Sequence, residues 1–423
     1  MDIENKSRLL IAIGIGLLFP LFFQLSGGVY NSAFPVLDSG GMLSALPLPI
    51  SILACFGGIL MLLGNYRRAF LGGIFVAGLL FVLLISLLFA EIGAGVDRRK
   101  IILIFQYLLP AFGLILGQMI VDDDKLIPRA FLYTLLVIVP VQLVCSWVQK
   151  GTFALTHNLY LFSIYSHIQF VPLIMVCAFS YSMVTLWENH KRKLFVLACL
   201  MLIYVLASAS FLAIFAYVAF IVVFIGIRMG MPLQNIKLAI IFPVLVVVAV
   251  AMVAESLQMF YEFIGNHNIA VHVDGSYVNK FNELASGNIP QNVLERLDIW
   301  KLYIDAIAES TKTLILGHNV LISREVISSA HNWYLDITYA FGLLSLLPMS
   351  LLIGYTAYQL WQSKQTLSSE TLWLAVIVFY LVIVDNNFKV TLRQPYPGIF
   401  AYFLWGLLLS QFPRKREQER EGI

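Results

Sequence analysis

Charged residues are scarce in this sequence of 423 residues. Only 12% are Asp, Glu, Lys or Arg, whereas a soluble globular protein carries about 25%. This shortage excludes an ordinary water-soluble enzyme, a disordered chain and a coiled coil. The formal net charge of +3 is spread over many loops and forms no basic stripe, so nucleic acid is not an expected partner.

Cysteine is also rare, and its arrangement excludes two further classes of protein. The four cysteines, Cys55, Cys145, Cys177 and Cys199, all lie inside apolar runs, where we interpret them as small buried residues. No Cys-x-x-Cys pair and no cluster of His and Cys occurs, so neither a structural zinc site nor a disulfide framework is expected. No group of carboxylates indicates a divalent metal, and we predict neither a metal nor a cofactor.

The sequence is rich instead in long apolar runs. Hydrophobic residues make up 60% of it, and its mean hydropathy is +0.86. A helix needs about 20 apolar residues to cross the hydrocarbon core of a bilayer. We therefore predict an all-α, polytopic transmembrane helical bundle of about 12 spans. The candidate runs are residues 8–26, 48–64, 69–90, 101–120, 130–148, 168–187, 194–209, 211–227, 238–255, 332–357, 371–385 and 397–412.

Two short breaks separate neighbouring runs. The charged stretch Asp97-Arg98-Arg99-Lys100 divides the third run from the fourth, and Ala207-Ser208-Ala209-Ser210 permits a tight reversal between the seventh and the eighth. The first run follows Lys6 and Arg8 without a convincing small-residue cleavage site. We therefore interpret it as a retained span and not as a signal peptide.

The distribution of basic residues predicts the orientation of the spans. With a cytoplasmic N-terminus, most of the 27 Lys and Arg residues lie in cytoplasmic loops or in the C-terminal tail. Cytoplasmic loops carry such an excess in membrane proteins. Both termini are therefore expected on the cytoplasmic side, in a multi-pass protein.

Five basic residues oppose this bias, because they fall in short external loops: Arg98, Arg99, Lys100, Lys389 and Arg393. An anionic ligand at the outer membrane–water interface would explain why they are retained, and we favour this explanation for the group. For any one of them, interfacial solvation and snorkelling of the side chain explain the position equally well.

The chain divides into three parts by hydropathy. Residues 1–255 hold spans 1 to 9, residues 256–331 form one large hydrophilic outer loop with short helices, and residues 332–423 hold spans 10 to 12 and a basic cytoplasmic tail. The loop is too short for a confident independent domain. It is therefore expected to pack on the membrane-embedded part.

One helix is predicted inside the outer loop. Asn292 and Glu295 resemble a capping box, with Asn292 as N-cap. An apolar stripe follows at helical spacing: Val293, Leu297, Trp300, Ile304 and Ile307.

Arg296 and Trp300 are four residues apart and therefore neighbours on this helix. A guanidinium beside an indole suits a phosphate next to a sugar. The alternative is a core tryptophan with a solvated arginine.

Two histidines close the loop. His331 lies where the loop becomes the tenth span, at the membrane interface, and a histidine there can titrate near neutral pH. A lone histidine at a helix start is also a common structural hydrogen-bonding residue, and His318 has the same two interpretations. Asp385, at the outer end of the eleventh span, is a further functional candidate because acidic residues near hydrocarbon are costly; a simple helix end is the alternative.

Taken together, these residues resemble the bacterial O-antigen ligase and O-antigen polymerase superfamily. A large outer loop precedes the tenth of about 12 spans, and the loop holds an Arg-x-x-x-Trp helix at Arg296 and a glycine turn at Gly317. It ends in His331-Asn332-Trp333-Tyr334-Leu335, with Gly342-Leu343 downstream. The match covers the second half of the chain; the first half matches in topology alone.

The sequence departs from the family pattern at one place. Family members often carry Ser-Arg-Gly at the outer turn between the seventh and eighth spans, where the arginine is tied to substrate pyrophosphate. This chain has Ser208-Ala209-Ser210-Phe211 there. Arg98, Arg99 or Arg393 would then have to supply the charge from another loop.

The resemblance implies a glycosyltransferase in the bacterial inner membrane, with its active site facing the periplasm. It would transfer a glycan from an undecaprenyl-diphosphate-linked oligosaccharide to a sugar hydroxyl of an acceptor glycan, with inversion and without a metal. His331 is the implied general base and Arg296 the first choice for stabilising the diphosphate. The implied substrate-binding residues are Arg98, Arg99, Arg393, Asn332, Trp300, Tyr334 and His318.

The roles of several residues near His331 have more than one interpretation. Asn332 would orient the acceptor or cap the helix, and Asp336, four residues later, is placed to bond it. Trp300, Trp333 and Tyr334 could stack on sugars, and for Trp333 anchoring at the interface is an equal alternative.

The acceptor is a second lipid-linked repeat unit in a polymerase, which we favour slightly, or lipid A-core in a ligase. A transporter or flippase of lipid-linked sugars, expected to show internal repeats, and a structural membrane subunit are the competing classes.

Overall fold

The computed structural model describes residues 3–24, 28–29, 48–90, 98–122, 124–150, 160–161, 164–165, 170–208, 210–228, 291–319, 321–322, 329–363 and 366–412. Helices dominate these residues, which confirms the predicted all-α class. The ninth predicted span, residues 238–255, and the basic tail from residue 413 lie outside the described residues, as does the outer loop up to residue 290.

Five helical stretches among the described residues are long and apolar enough to cross a membrane: Leu63–Phe89, Arg99–Met119, Leu126–Val148, Leu343–Gln362 and Ser369–Phe388. Many large apolar side chains on them are exposed; Leu88 keeps 68% of its surface and Val148 keeps 75%. Exposed apolar surface on this scale suits contact with lipid and not with water. The chain therefore has the features of a helical membrane protein.

The chain forms two compact units. The first comprises Met1–Ile50 and Asp122–Leu294, and the second comprises Ser51–Val121 and Glu295–Ile423. The described helices of the first unit are α1 (Ile3–Leu18), α5 (Leu126–Lys150), α6 (Val171–Ser208) and α7 (Phe211–Arg228). Its short strands are β1 (Phe22–Gln24), β2 (Gly28–Val29), β3 (Leu48–Pro49), β4 (Tyr160–Leu161) and β5 (Ile164–Tyr165).

The first predicted span is too long. Helix α1 ends at Leu18, and the chain then enters β1, which pairs antiparallel with β2 and β3. Pro20 explains the end of the helix, because a proline disfavours helical geometry in the residue before it and has no N–H to donate. The prediction of a helix over residues 8–26 is therefore wrong after Leu18.

Helix α6 contains two predicted spans, the sixth and the seventh. Its backbone leaves helical geometry at His190, where φ is −134° and ψ is 29°. This kink lies between residues 187 and 194, where the two apolar runs were separated. The break at residues 207–210 is also confirmed, because α6 ends at Ser208 and α7 begins at Phe211 and packs against it. Cys199 of α6 is exposed, unlike the other three cysteines, so its predicted burial is wrong.

The second unit holds nearly all of α2 and α8 and the whole of the remaining helices. They are α2 (Ile50–Met61), α3 (Phe70–Ala90), α4 (Arg98–Met119), α8 (Gln291–Ile307), α9 (Thr311–Leu316), α10 (Trp333–Phe341), α11 (Leu347–Gln362), α12 (Ser369–Phe379), α13 (Asn386–Phe388) and α14 (Pro395–Ser410). Short 3-10 segments occupy Leu63–Ala69, Leu343–Leu346 and Thr391–Arg393, and a π-helical segment occupies Tyr380–Asp385.

Helices α4 and α14 pack closely, backbone against backbone, at two glycines of α4. A side chain at Gly113 would collide with the backbone of Ile399, and one at Gly117 would collide with the backbone of Phe403. Gly113 and Gly117 form a Gly-x-x-x-Gly motif, which lets two membrane helices approach backbone to backbone. Since Gly113 faces Ile399 and Gly117 faces Phe403, the two helices run parallel, and both begin at the same end of the unit.

The tenth predicted span, residues 332–357, is not one helix. Helix α10 ends at Gly342, whose φ of 76° only glycine adopts readily. Gly317, with a φ of 80°, lies against it, because a side chain at Gly317 would collide with Ala340 and one at Gly342 would collide with Ile315. The membrane-length stretch therefore starts at Leu343, and α10 is a separate short helix that follows His331.

Helix α8 differs from its prediction at its start and in its buried face. It begins at Gln291, so Asn292 lies in its first turn and is not the N-cap. Leu297 and Ile304 of the predicted stripe are about half exposed, at 47% and 52%. Ile307 of the predicted stripe is buried, and it packs with Tyr303, Ala330 and Tyr339.

Candidate active site

His331 is the centre of the candidate site in the second unit. Its φ of 50° places it in the left-handed region, which a residue with a Cβ adopts at some cost. Its backbone N–H donates a hydrogen bond to the Ser329 hydroxyl over 2.9 Å. Non-glycine residues in this conformation persist where surrounding contacts hold them, and they often occur at functional sites.

Trp300 of α8 holds the chain directly before His331. Its indole nitrogen donates to the carbonyl oxygen of Ala330 over 2.8 Å. Ala330 is fully buried and packs against Tyr303 and Ile307 of the same helix. The buried face of α8 therefore positions His331, although residues 300 and 331 are far apart in the sequence.

Arg296 lies one turn before Trp300 and has an electrostatic effect on His331. One of its guanidinium nitrogens donates to the carbonyl oxygen of Phe388 over 3.2 Å. No carboxylate of a described residue lies within ion-pair distance of Arg296. Partial burial lowers the pKa of Arg296, but a guanidinium stays charged at neutral pH.

Burial and the nearby guanidinium act together on the imidazole. The pKa of His331 is lowered from its ordinary value, first by burial and then by the positive charge of Arg296; the Asp336 carboxylate acts in the opposite direction. His331 is therefore neutral near pH 7, which is the form that a general base requires. The structure thus brings the two predicted catalytic residues into electrostatic contact.

Arg393 is buried, and its charge is balanced inside the protein. Its guanidinium forms an ion pair with Asp336 of α10, and Asp336 also accepts a hydrogen bond from the N–H of Ala330 over 3.2 Å. Burial is the largest single effect and lowers the pKa of Arg393, but the Asp336 carboxylate, Tyr107 and Tyr303 together outweigh it, so the pKa is raised. Asp336 bonds Asn332 through its backbone N–H over 2.9 Å, whereas its side chain is held by Arg393 and Ala330.

Arg99 reaches the same region from the start of α4. It donates to the carbonyl oxygen of Leu321 over 3.0 Å. A cavity of about 60 Å³ is lined by Arg99, Arg393, Asp336 and Ser329, among others. This volume has room for about two water molecules. Two of the predicted external arginines therefore converge, and Ser329 connects their cavity to the backbone of His331.

The other two basic residues before the fourth span differ from Arg99. Arg98 is the first residue of α4, and its side chain lies outside the described part of the structure. Lys100 is fully buried, with its ammonium 5.7 Å from the centroid of the Phe341 ring.

Two predicted substrate-binding residues have clear structural contacts. The Asn332 side chain caps α10 by accepting from the N–H groups of Tyr334 (3.0 Å) and Leu335 (3.1 Å). The Tyr334 hydroxyl donates to the carbonyl oxygen of Val382 over 2.8 Å. Of the two roles open to Asn332, helix capping is the one seen in these contacts.

His318 and Trp333 belong to the packing around the site. His318 stacks on Tyr339 with ring centroids 4.4 Å apart, and its Nε2 lies 2.8 Å from the carbonyl oxygen of Ala306. Trp333 is 1% exposed and meets the Tyr107 ring edge-on. Trp333 is therefore a core residue and is not available to a sugar or to the membrane interface.

Asp385 and Lys389 form a second buried pair beside the site. The ammonium of Lys389 lies 3.4 Å from the Asp385 carboxylate, and the Thr391 hydroxyl donates to the same carboxylate. The Lys389 carbonyl oxygen accepts from the N–H of Trp333 over 3.1 Å, which ties this segment to the start of α10. The four-residue spacing of Asp385 and Lys389 could have indicated this pair from the sequence.

Two of the five unusual external basic residues, Lys389 and Arg393, thus have carboxylate partners within the chain. An anionic ligand is not needed to explain their retention. Among the described residues, no three His, Cys, Asp or Glu side chains are grouped so that they could hold a metal ion.

Comparison with known proteins gives no family assignment. No protein-family model matches the chain, and no curated protein matches it in sequence. The resemblance therefore rests on the residues quoted from the second half of the sequence.

Proposed function

We propose that this protein is a membrane glycosyltransferase of the O-antigen ligase and polymerase type. It transfers a glycan from an undecaprenyl-diphosphate-linked donor to a sugar hydroxyl of an acceptor glycan at the periplasmic face of the bacterial inner membrane. The observation that carries the proposal is the hydrogen bond from Trp300 of α8 to Ala330, which brings His331 to the helix whose Arg296 charge lowers the pKa of the imidazole. An enzyme of this type needs both groups at one place.

His331 would act on the acceptor hydroxyl, and Arg296 would act on the leaving diphosphate. His331 accepts the proton of the acceptor hydroxyl as this attacks the anomeric carbon, and general-base assistance of this kind contributes about 10²–10⁴-fold in rate. Arg296 stabilises the negative charge that develops on the departing diphosphate. Direct displacement inverts the anomeric carbon and requires no metal; a glycosyl-enzyme trapped on a side chain would contradict it.

The remaining arginines have different roles in this proposal. Arg393 is a positioning residue, because Asp336 balances its charge and the pair fixes Ala330 next to His331. Arg99 lies at the edge of the same cavity and, with Arg98, is the second choice for contact with phosphate. They replace the arginine that is missing at residues 208–211.

We further propose 12 spans with both termini in the cytoplasm and the large loop in the periplasm. In that topology the fourth and twelfth spans both run from the periplasm to the cytoplasm. The parallel packing of α4 and α14 supports this arrangement. Labelling of single cysteines placed at positions 310 and 366 by a membrane-impermeant reagent tests it, since 310 should react from the periplasm and 366 only after lysis.

Activity is tested with purified protein in lipid vesicles and an undecaprenyl-diphosphate-linked oligosaccharide. We expect release of undecaprenyl diphosphate together with a longer glycan, loss of both in His331→Ala, and a fall of about 10²–10³-fold in Arg296→Ala, with both variant proteins still inserted in the membrane. Lengthening of lipid-linked glycan identifies a polymerase, and transfer that occurs only onto lipid A-core identifies a ligase. Movement of unchanged substrate across the bilayer would identify a flippase and contradict the proposal.

A further inference from the structure

The first unit contains a large groove between helices α1, α5 and α6. The groove has a volume of about 850 Å³, and most of its lining is apolar. Ile11 and Ile15 of α1 and Val137 and Ile138 of α5 form its walls. Val137 keeps 61% of its surface although it is hydrophobic, so this wall is open at the side. In a membrane such a wall meets lipid chains.

Polar side chains converge at one end of the groove. Arg129, Tyr133 and His190 line it there. Lys193 donates to the Tyr133 hydroxyl over 2.9 Å, with its ammonium 4.7 Å from the centroid of the Tyr133 ring. The His190 ring stands edge-on to the same tyrosine, with centroids 6.5 Å apart. The kink of α6 lies at His190, at this end of the groove.

This end of the groove is cationic. The pKa of His190 is lowered by partial burial and then by the charges of Lys193 and Arg129, so both cations act at one place. The Nε atom of Arg129 is buried and has no hydrogen-bond partner among the described residues.

Among the described residues, the Asp122 carboxylate interacts with one of these two cations. Asp122 interacts electrostatically with Arg129, but its oxygens accept the N–H groups of Leu126 (2.6 Å) and Ile127 (2.9 Å) at the start of α5. Both oxygens of the Asp122 carboxylate therefore bind N–H groups of the first turn of α5. Glu188 pairs with Lys191 and Arg228 instead.

We propose that this groove binds one anionic phospholipid, with the phosphate on Arg129 and Lys193 and an acyl chain along the apolar wall. A guanidinium binds phosphate oxygens bidentately, and the ammonium adds a second charge. From Arg129 to Val137 the helix rises about 12 Å, at about 1.5 Å per residue, which gives the chain a continuous apolar track. Free phosphate would leave this track empty, and a zwitterionic lipid would bring its own ammonium group next to the two cations.

The proposal requires only that the chain lies in a membrane and does not depend on glycosyl transfer. It is tested with the full-length protein, stripped of lipid in an uncharged detergent. Native mass spectrometry then counts bound phosphatidylglycerol against phosphatidylcholine of the same chain length. We expect the anionic lipid to bind at least tenfold more tightly, with inorganic phosphate failing to compete at millimolar concentration.

Two pairs of variants locate the site. The double variant Arg129→Gln, Lys193→Gln should lose the preference for phosphatidylglycerol, whereas Lys191→Gln should keep it, because Lys191 is paired with the exposed Glu188. Val137→Trp should fill the apolar track and weaken both lipids, whereas Val144→Trp, on the same helix but outside the groove, should not. Size-exclusion profiles show which variants fold. If Val137→Trp does not fold, the comparison of the double variant with Lys191→Gln tests the proposal by itself.

Any of four results would overturn the proposal. They are equal binding of the two lipids, equal losses in the Arg129–Lys193 double variant and in Lys191→Gln, displacement of the lipid by inorganic phosphate, and preference for a polyprenyl phosphate over phosphatidylglycerol. None of these results bears on His331, which lies in the other unit.

Discussion

The indole nitrogen of Trp300 donates a hydrogen bond to the carbonyl oxygen of Ala330, 2.8 Å away, and so fixes the residue directly before His331. The same residue, Ala330, donates its N–H to Asp336, which is paired with Arg393. Both backbone groups of Ala330 are therefore held by side chains. These bonds support the left-handed conformation of His331. In this position the positive charge of Arg296 lowers the pKa of the imidazole.

Replacing Trp300 by Phe removes this hydrogen bond but keeps an aromatic ring. We expect a loss of about 0.5–1.5 kcal/mol in stability and a larger effect on transfer, a fall of tenfold or more at saturating substrate, because small displacements of a catalytic group are costly. Melting temperature and turnover measure the two effects. Trp361→Phe is the control, since Trp361 is exposed on α11; equal turnover in both variants would remove Trp300 from this role.

The acidic limb of the pH–rate profile reports the protonation of His331. The pKa of His331 lies below its ordinary value, so the neutral base persists to lower pH and activity should fall only below about pH 6.5. Arg296→Gln removes a positive charge that disfavours the imidazolium. The pKa of His331 then rises, and the acidic limb moves to higher pH.

Arg296→Lys is the matched control for this shift, because it keeps the positive charge. It should lower the maximal rate, since an ammonium cannot bind phosphate bidentately, yet leave the acidic limb in place. Initial rates from pH 5 to pH 8 separate the two effects. An acidic limb that stays in place in both variants would show that a group other than His331 controls it.

The buried ion pair between Asp336 and Arg393 predicts a strongly non-additive double-mutant cycle. Asp336→Leu leaves the buried guanidinium without its counter-charge, and Arg393→Met leaves the buried carboxylate without its own; each costs about 3–5 kcal/mol. The double variant Asp336→Leu, Arg393→Met removes both charges and should be more stable than either single variant. Thermal unfolding in detergent gives the values; additive losses would mean that the two residues do not depend on each other.

The glycine contact between α4 and α14 predicts a position-specific effect of a single methyl group. Gly117→Ala places a methyl against the backbone of Phe403 and Leu407 and should destabilise by about 1–3 kcal/mol through overpacking. Gly78→Ala on α3 meets no atom within 4 Å and should be neutral or slightly stabilising. Melting temperatures compare them, and similar values would show that the two backbones do not approach closely.

The helical segments were predictable because the signal for them is local. An apolar run of membrane length predicts a helix from neighbouring residues alone, and α3, α4, α5 and α7 lie close to their predicted positions. The errors arose where one residue changes the backbone: Pro20 ended α1 early, and Gly342 divided the tenth span. Both residues interrupt a long apolar run without changing its hydropathy, so hydropathy alone does not indicate the break.

The partners of individual side chains were not predictable in the same way. The sequence alone determined a helical membrane protein, because hydropathy is a property of single residues. The tertiary structure decided that Arg393 is neutralised by Asp336, that Trp300 fastens Ala330, and that Arg296 acts on His331. These contacts join α8, α10 and the segment before α14, so they exist only once distant helices have packed together and set which charges remain available to a ligand.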